Sequence, residues 1–225
     1  MPRMARLIVP GYMHHVVQRG NYKQIVFETT EDLQKYAYWI SQYVFECGVE
    51  VIAYCLMSNH VHFVVIPKAK DSLARLFSIV HMRYSQYKNK EKKAKGHLWQ
   101  GRFYSCVLDG GHLLRAVRYV ERNPVRANLV RYPWEYAWSS AREHLGLGRD
   151  PIIKTTEAGN ILKMISGGSD WRSYLGQEDE EMAKEMRRKT RKGSAVGSDE
   201  FIGMLEKKIG YSLADKKPPG RPRKK

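Results

Sequence analysis

Cysteine is scarce in this sequence, and its scarcity excludes two classes of protein. The 225 residues contain three cysteines, Cys47, Cys55 and Cys106. They are too few for a disulfide framework and lack the paired spacing of a zinc-binding CxxC site. An odd count without a secretory signal is typical of a reducing compartment, so we expect a cytosolic protein. Cys47 and Cys55 are then expected to be small buried hydrophobic residues.

Long apolar runs and acidic residues are also in short supply. No apolar run approaches the roughly 18 residues that a membrane-spanning helix needs, and the N-terminus lacks the hydrophobic region of a secretory signal. Asp and Glu number 23 against 39 Lys and Arg, which gives a formal net charge of +16. This surplus favours a polyanionic partner, nucleic acid before an anionic membrane surface. We therefore expect a cytoplasmic, nucleoid-associated protein that binds no membrane.

Hydrophobic periodicity predicts an α+β fold for the first half of the chain. Alternating polarity predicts four strands, and apolar residues at three- and four-residue steps predict helices. The predicted strands cover residues 12–19, 49–56, 61–66 and 99–108, and the predicted helices begin near residues 30, 72 and 110. The order β-α-β-β-α-β is that of the ferredoxin-like split βαβ fold, an antiparallel sheet with helices on one face. We expect the added third helix to end near Asn123, because Pro124 disfavours helix in the residue before it.

Composition divides the chain into three predicted parts. Residues 1–146 form the first domain, and residues 147–215 form a mostly helical extension that we expect to contact DNA. Helices are predicted in that extension near residues 152–165, 170–175, 178–192 and 201–209. Residues 216–225 are a basic tail similar to an AT-hook, in which Arg221 and Arg223 would lie in a narrow A·T minor groove. An unstructured basic tail explains the same residues equally well.

Two histidines stand at the start of the third predicted strand. Successive side chains of a strand alternate between its faces, so His60 and His62 lie on the same face. Together they are an incomplete metal site, because a catalytic divalent ion needs a further ligand and open positions for substrate oxygens. Taken alone, the pair fits two surface histidines better than a metal site. His15, on the first strand, can reach the same place, although a structural role is more frequent for such a residue.

The helix after the fourth strand supplies the other half of a candidate site. Tyr119 and Asn123 lie one turn apart. We expect Tyr119 to lie off the apolar face of the helix, next to the guanidinium groups of Arg115, Arg118 and Arg122. A phenol has a pKa near 10 and is a poor nucleophile unless a base, a cation or a metal assists it. The Asn123 amide oxygen can serve as a third metal ligand, or the side chain can cap the helix end. Competing candidates for the nucleophile are Tyr84, Tyr87 and Tyr104.

These motifs, with their neighbours, resemble one known family. His60-Val61-His62 in a strand, followed by residues 119–125 on a helix, is similar to the single-tyrosine HUH transposases. Residues 98–103 (LWQGRF), 123–127 (NPVRA) and 134–140 (WEYAWSS) resemble the REP-associated tyrosine transposases, a branch of that family. The resemblance spans roughly residues 4–145, and it is specific because separate motifs occur in the same order.

The resemblance implies a function and a set of roles. Its members are ferredoxin-like nucleases that bind hairpins of single-stranded DNA, cut one strand through a 5′-phosphotyrosine link and use the free 3′-OH to rejoin strands. Tyr119 would be the nucleophile, and His60 and His62 would be ligands of Mg²⁺ or Mn²⁺. Asn123 stands where relatives carry a glutamine ligand. A homodimer that exchanges the tyrosine helix and a chain that works alone are both compatible with the resemblance.

Two alternatives to strand transfer are open at this stage. A protein of the same fold could bind DNA hairpins as a regulator without transfer, and a metal-dependent nuclease could use activated water in place of a tyrosine. All three functions require DNA contacts. The residues expected to make them in the first domain are Arg19, Asn21, Arg83, Lys88, Arg102, Arg118 and Arg122.

Overall fold

The βαββαβ unit predicted from the periodicity is present. The computed structural model describes residues 6–153 and 170–213. The unit consists of β1 (Met13–Arg19), α1 (Thr30–Glu46), β2 (Val49–Met57), β3 (His60–Pro67), α2 (Ser72–Glu91) and β4 (Tyr104–Leu108). Its four strands form a sheet in the order β2-β3-β1-β4, with every neighbouring pair antiparallel. This order confirms the predicted ferredoxin-like arrangement.

The fourth strand is shorter than the sequence pattern predicts. Residues 99–103 were expected to belong to it, but β4 begins at Tyr104. Trp99 makes only an isolated bridge with Gly20, and Gly101 has a φ of +58°. A positive φ bends the backbone out of an extended conformation, and glycine adopts it without steric cost. Residues 96–103 therefore form a loop that turns into the strand.

The helix that carries Tyr119 is interrupted. A short 3₁₀ turn precedes α3 (Leu113–Glu121), and α4 (Asn123–Arg126) follows after a break at Arg122. The end of α3 at Glu121 is close to the predicted end near Asn123, but the second short helix, with Pro124 in its first turn, was not predicted. Proline is accepted in the first turn of a helix, where its missing N–H would have no intrahelical partner. The chain thus resumes a helical course directly after the break.

The extension joins the sheet. Its described helices are α6 (Trp171–Gly176), α7 (Glu180–Lys192) and α8 (Asp199–Ile209), which follow a short α5 (Ala141–His144) in the first domain. A two-residue strand, β5 (Ala195–Val196), pairs in parallel with β4 and was not predicted. The helices predicted near residues 170–175, 178–192 and 201–209 are confirmed. The one predicted near 152–165 and the AT-hook-like tail lie outside the described residues.

The two faces of the sheet are covered by different helices. Helices α1 and α2 cover the face that carries Phe63, whose ring packs against Phe77 of α2. Helices α3 and α7 cover the opposite face, where α3 contacts β2 and β3 and α7 contacts β1 and β4. Cys47, Cys55 and Cys106 are buried and free, as predicted for the first two. The histidines of β3 therefore face the space between α3 and α7.

None of the helices in the described ranges has the apolar length needed to cross a membrane. The longest, α2, has 20 residues, enough to span a hydrocarbon core of about 30 Å. It carries charges at Arg75, Arg83 and Lys88, among others, which a span of that length would have to bury.

Candidate functional site

A pocket of about 480 Å³ opens between α3, α7 and the exposed ends of β1 and β3. It brings together the four residues singled out on the sequence. His60, His62, Tyr119 and Asn123 all line it. Two strands and two helices thus converge on one place, although the tyrosine lies nearly sixty residues beyond the histidines.

His60 and His62 are both neutral imidazoles on one face of β3. Their ring centroids are 4.8 Å apart. Burial, followed by the charge of Arg19, lowers the pKa of His60 to about 4. Burial, followed by the charge of the neighbouring His60, lowers the pKa of His62 well below the usual histidine value. Since a metal ligand must be unprotonated at the ligating nitrogen, both rings are in the charge state that a metal requires.

A side chain fixes the orientation of each of these rings. Nδ1 of His60 lies 2.5 Å from Oδ1 of Asn59. Nδ1 of His62 lies 2.9 Å from Nε2 of His15, whose own Nδ1 lies 2.7 Å from the Thr190 hydroxyl of α7. Partners of this kind hold the ring of a ligating histidine in place and select its tautomer. His15 therefore belongs to the site, which the sequence left undecided.

Tyr119 is buried between the sheet and α7. We expected this residue to lie off the apolar face of α3. That expectation was wrong, because α7 covers this side of the helix and only 5% of Tyr119 is exposed. Its ring meets those of His15 and His62 edge-on, with centroids 5.4 and 5.8 Å away. Burial raises the pKa of Tyr119, and the charges of Arg126 and Arg187 oppose that shift.

The competing tyrosines are less well placed. Tyr84 is fully buried in the α1–α2 layer, where its hydroxyl donates to the Val26 carbonyl at 2.6 Å. Tyr87 donates to Glu91 on the same helix. Tyr104 lines the pocket, but it lies at its open side with 41% of its surface exposed.

The arginines expected around Tyr119 point elsewhere. Arg115 and Arg118 bind the Asp179 carboxylate at 2.9 and 2.7 Å, and Arg122 donates to the carbonyl groups of Leu175 and Gly176. These contacts attach α3 and the break after it to the end of α6 and to Asp179, the residue before α7. Arg118 and Arg122 are therefore buried structural residues in this structure, away from the pocket that holds Tyr119.

A different set of cations lines the pocket. The Arg126 guanidinium lies 4.4 Å from the centre of the Tyr119 ring, and it also donates to the Tyr119 carbonyl at 2.6 Å. The cationic residues that line the pocket are Arg19, Lys23, Arg126, Arg187 and Arg191. Of these, only Arg19 was predicted. Arg126 lies seven residues after Tyr119, a spacing that could have identified it had the helix been expected to continue past Pro124.

Asn123 lines the same pocket as the two histidines, and it also caps the helix. Its Nδ2 donates to the carbonyl groups of Tyr119 and Val120 at 3.2 and 3.0 Å. The amide oxygen is therefore the atom that a hard cation could bind. Within residues 6–153 and 170–213, no group of three histidine, cysteine or carboxylate side chains is arranged to hold a metal. A site at this pocket would thus depend on Asn123, substrate oxygens or water for its further ligands.

The remaining predicted DNA contacts are dispersed. Asn21 follows β1 in a short 3₁₀ turn, and Arg83 lies over the Tyr43 ring on the α1–α2 surface. Arg102 lines a separate groove of about 590 Å³ beside the loop of residues 96–103. Arg221 and Arg223 lie outside the described residues.

Lys88, which was predicted to contact DNA, is a buried residue with a structural role. Only 5% of its side chain is exposed, and its Nζ lies 3.0 Å from Asp32 and 2.8 Å from Glu91. The Asp32 carboxylate also accepts hydrogen bonds from the backbone N–H groups of Glu28 and Thr29, which directly precede α1. Lys88 thus ties α2 to the start of α1, and a role in binding DNA would require this network to break.

We expect Lys88→Met to lower the free energy of unfolding by about 3–5 kcal/mol, because it leaves a buried carboxylate without its cation. Burial raises the pKa of Asp32, but the hydrogen bond from Lys88 and those from the backbone lower it more. Ionised Asp32 therefore stabilises the fold fully above its unfolded pKa near 3.9 and ceases to as the pH falls through its lower folded pKa. The difference in unfolding free energy between the Lys88→Met variant and the wild type should therefore become smaller as the pH falls from about 3.9 through the folded pKa of Asp32. Urea titrations at several pH values measure this difference.

Lys90→Met, on the exposed side of the same helix, is the control and should change stability by less than about 0.5 kcal/mol. Equal stability of the Lys88 and Lys90 variants, with weaker DNA binding by the Lys88 variant, would instead assign Lys88 to the DNA.

Comparison with known proteins identifies a family and a similar fold. The family model described as "Transposase IS200 like" matches residues 8–123. No curated protein matches the chain. A solved REP-associated tyrosine transposase bound to a REP hairpin is similar at a TM-score of 0.57 and 17% identity, covering 71% of this chain and 97% of that one. A proposed transposase from Deinococcus radiodurans matches at a TM-score of 0.38 and 17% identity, covering 54% and 97%.

The solved transposase with its REP hairpin supports the assignment of the fold. The family model supports the assignment of the family. The matched segment contains β1 to β4, both histidines, Tyr119 and Asn123. It covers more than half of the chain, which therefore belongs to the IS200-like transposases, a family of DNA-cleaving enzymes.

Proposed function

We propose that this chain cuts and rejoins hairpin-forming single-stranded DNA through a covalent bond between Tyr119 and a 5′-phosphate. One observation carries the proposal: the Tyr119 ring lies edge-on against His62, in the pocket that also holds His60. A nucleophile next to a pair of neutral imidazoles is the arrangement that metal-assisted attack on a phosphodiester needs. Membership in a transposase family supports the same reaction.

The reaction would be a transesterification. The Tyr119 oxygen attacks the phosphorus, a new O–P bond forms, and the bond from phosphorus to the 3′ oxygen of the upstream strand breaks. The phenolic proton is lost to solvent and the 3′ oxygen takes one up, so no water is consumed. Because one phosphodiester replaces another, the reverse attack by a 3′-OH restores a continuous strand and releases Tyr119.

His60 and His62 fit a divalent ion, Mg²⁺ or Mn²⁺, with Asn123 as the candidate third ligand. The amide oxygen of Asn59 can only accept a hydrogen bond, so Nδ1 of His60 carries the proton and its Nε2 presents a lone pair. When bound, such an ion polarises the scissile phosphate and offsets the charge that develops on it. Two imidazoles and an amide carry no negative charge, so the ligands leave that positive charge undiminished.

The basic lining of the pocket suits the DNA backbone. Among the described residues that line it, there are five cations and no carboxylate. The exposed Glu180 lies 3.6 Å from Arg187 and offsets part of that charge at the rim. Fixed guanidinium groups bind phosphate oxygens in a planar, directional manner. We propose Arg19, Arg126, Arg187 and Arg191 as phosphate contacts near the point of cleavage.

We also propose that the substrate is a DNA hairpin and that the chain belongs to the REP-associated branch of the family. The motifs at residues 98–103, 123–127 and 134–140 support the branch. The structure solved with a REP hairpin shares this fold, which supports the substrate class. His60, His62 and Tyr119 all come from one chain, so this arrangement requires no partner subunit; a homodimer is a separate proposal.

A covalent-capture assay tests the proposed reaction. Hairpin oligonucleotides with single-stranded flanks and a 3′ label are incubated with the protein and Mn²⁺, then separated under denaturing conditions. We expect the label to migrate with the protein, because Tyr119 would hold the 5′-phosphate of the labelled downstream fragment. Cleavage with a free 5′-phosphate and no adduct would favour the water-activating nuclease. Binding without cleavage would favour the regulator.

A further inference from the structure

We propose that His15 and Thr190 are positioning residues that set the orientation and the tautomer of His62. The proposal rests on the proposed function, since it treats His62 as a metal ligand. It assigns a role to Thr190, which lies on α7, beyond the residues that match the family model. The extension would then take part in assembling the metal site.

Three side chains that line the pocket form an unbroken hydrogen-bonded chain. The Thr190 hydroxyl lies 2.7 Å from Nδ1 of His15, and Nε2 of His15 lies 2.9 Å from Nδ1 of His62. The two rings are nearly parallel, with 15° between their planes. His15 is fully buried, and Thr190 and His62 are 3% and 5% exposed. Water therefore has little access to these nitrogens, and each depends on its protein partner.

Each neutral imidazole has one donor nitrogen and one acceptor nitrogen, so the chain can run in two directions. If Nδ1 of His15 donates to Thr190, then Nε2 of His15 accepts from Nδ1 of His62, and Nε2 of His62 keeps its lone pair. If Thr190 donates to Nδ1 of His15 instead, the proton of each imidazole lies on the other nitrogen, and Nε2 of His62 carries a proton. Only the first direction lets His62 bind a cation through Nε2.

A further contact is compatible with the first direction. The Thr190 hydroxyl also lies 3.1 Å from Sγ of Cys106, and either group can be the donor in this contact. When the hydroxyl donates to the sulfur, its oxygen is free to accept the proton of Nδ1 of His15. His60 has a comparable arrangement, with the Asn59 amide oxygen as its acceptor. Both histidines would thus present Nε2 to the same ion.

The direct test is the tautomer of His62 in the wild-type protein without metal. Nitrogen-15 NMR of the imidazole rings distinguishes a protonated from an unprotonated Nε2. We expect His62 and His15 both to carry the proton on Nδ1. A proton on Nε2 of His62 would overturn the proposal, regardless of the Mn²⁺ affinities of the variants.

Two substitutions at one position extend the test. Thr190→Val keeps the shape but removes the hydroxyl, and we expect Mn²⁺ affinity, measured by electron paramagnetic resonance, to fall by about 10- to 100-fold. Thr190→Ser keeps the hydroxyl and should restore affinity to within about threefold of wild type. Unchanged affinity in a folded Thr190→Val protein, with an unchanged His62 tautomer, would contradict the proposal.

A failure of the proposed function can be distinguished from a failure of the proposed role of Thr190. A wild-type protein that binds Mn²⁺ but forms no adduct with any hairpin would refute strand transfer. The tautomer and the Mn²⁺ affinities of the two variants would still decide the role of Thr190, because neither measurement involves DNA.

Discussion

Replacement of Tyr119 by phenylalanine should abolish the covalent adduct and reduce cleavage by at least roughly 10⁴-fold, the order seen when a catalytic nucleophile is removed. The substitution removes only the attacking oxygen. The ring can keep its edge-on contacts with His15 and His62 and its contact with the Arg126 guanidinium. We therefore expect the variant to fold and to bind hairpin DNA normally, as measured by thermal unfolding and by gel shift.

Tyr104→Phe is the matched control for that result. Tyr104 lines the same pocket and was itself a candidate nucleophile, but it lies at the exposed side. This variant should retain adduct formation within about a few-fold, since an exposed side chain contributes little to stability or position. If the Tyr119 variant forms the adduct and the Tyr104 variant does not, the nucleophile has been assigned to the wrong residue.

Substitution of either histidine by alanine should have the second largest effect. We expect His60→Ala and His62→Ala each to weaken Mn²⁺ binding by at least roughly 100-fold. Removal of a ligand should weaken binding more than removal of a residue that only positions a ligand. Cleavage at a fixed, low Mn²⁺ concentration should fall in parallel. Metal titrations followed by electron paramagnetic resonance and by adduct yield measure the two effects separately.

His97→Ala provides the control for the histidine variants. His97 is exposed in the loop of residues 96–103 and lines the separate groove, away from His60 and His62. Its loss should leave Mn²⁺ affinity unchanged. If His60→Ala and His62→Ala also bind Mn²⁺ as wild type does, the ion binds elsewhere and the proposed ligands are wrong.

The sequence could predict those parts of the site that depend on local geometry. Alternation along β3 places His60 and His62 on the same face whatever packs against them. The one-turn spacing of Tyr119 and Asn123 keeps them close even across the break at Arg122. The pairing of β2 with β3 follows from the short connection between them, which forms a hairpin.

Other parts of the site depend on contacts between distant segments. Arg115 and Arg118 turn away from Tyr119 because Asp179, about sixty residues later, provides a carboxylate. The burial of Tyr119 depends on α7, and the strand that follows α7 has only two residues, too few for a periodic pattern. Arg126 was missed because Pro124 was expected to end the helix, although proline is tolerated in a first turn.

The short pairing of β5 with β4 has a consequence for self-association. Without it, β4 would be an edge strand with unpaired backbone groups, of the kind that recruits another chain. The backbone N–H groups of Val107 and Asp109 instead donate to the carbonyl groups of Ser194 and Val196. Residues of the extension thereby occupy positions at which a second molecule could add a strand to β4, and they protect this part of the sheet edge from edge-to-edge pairing.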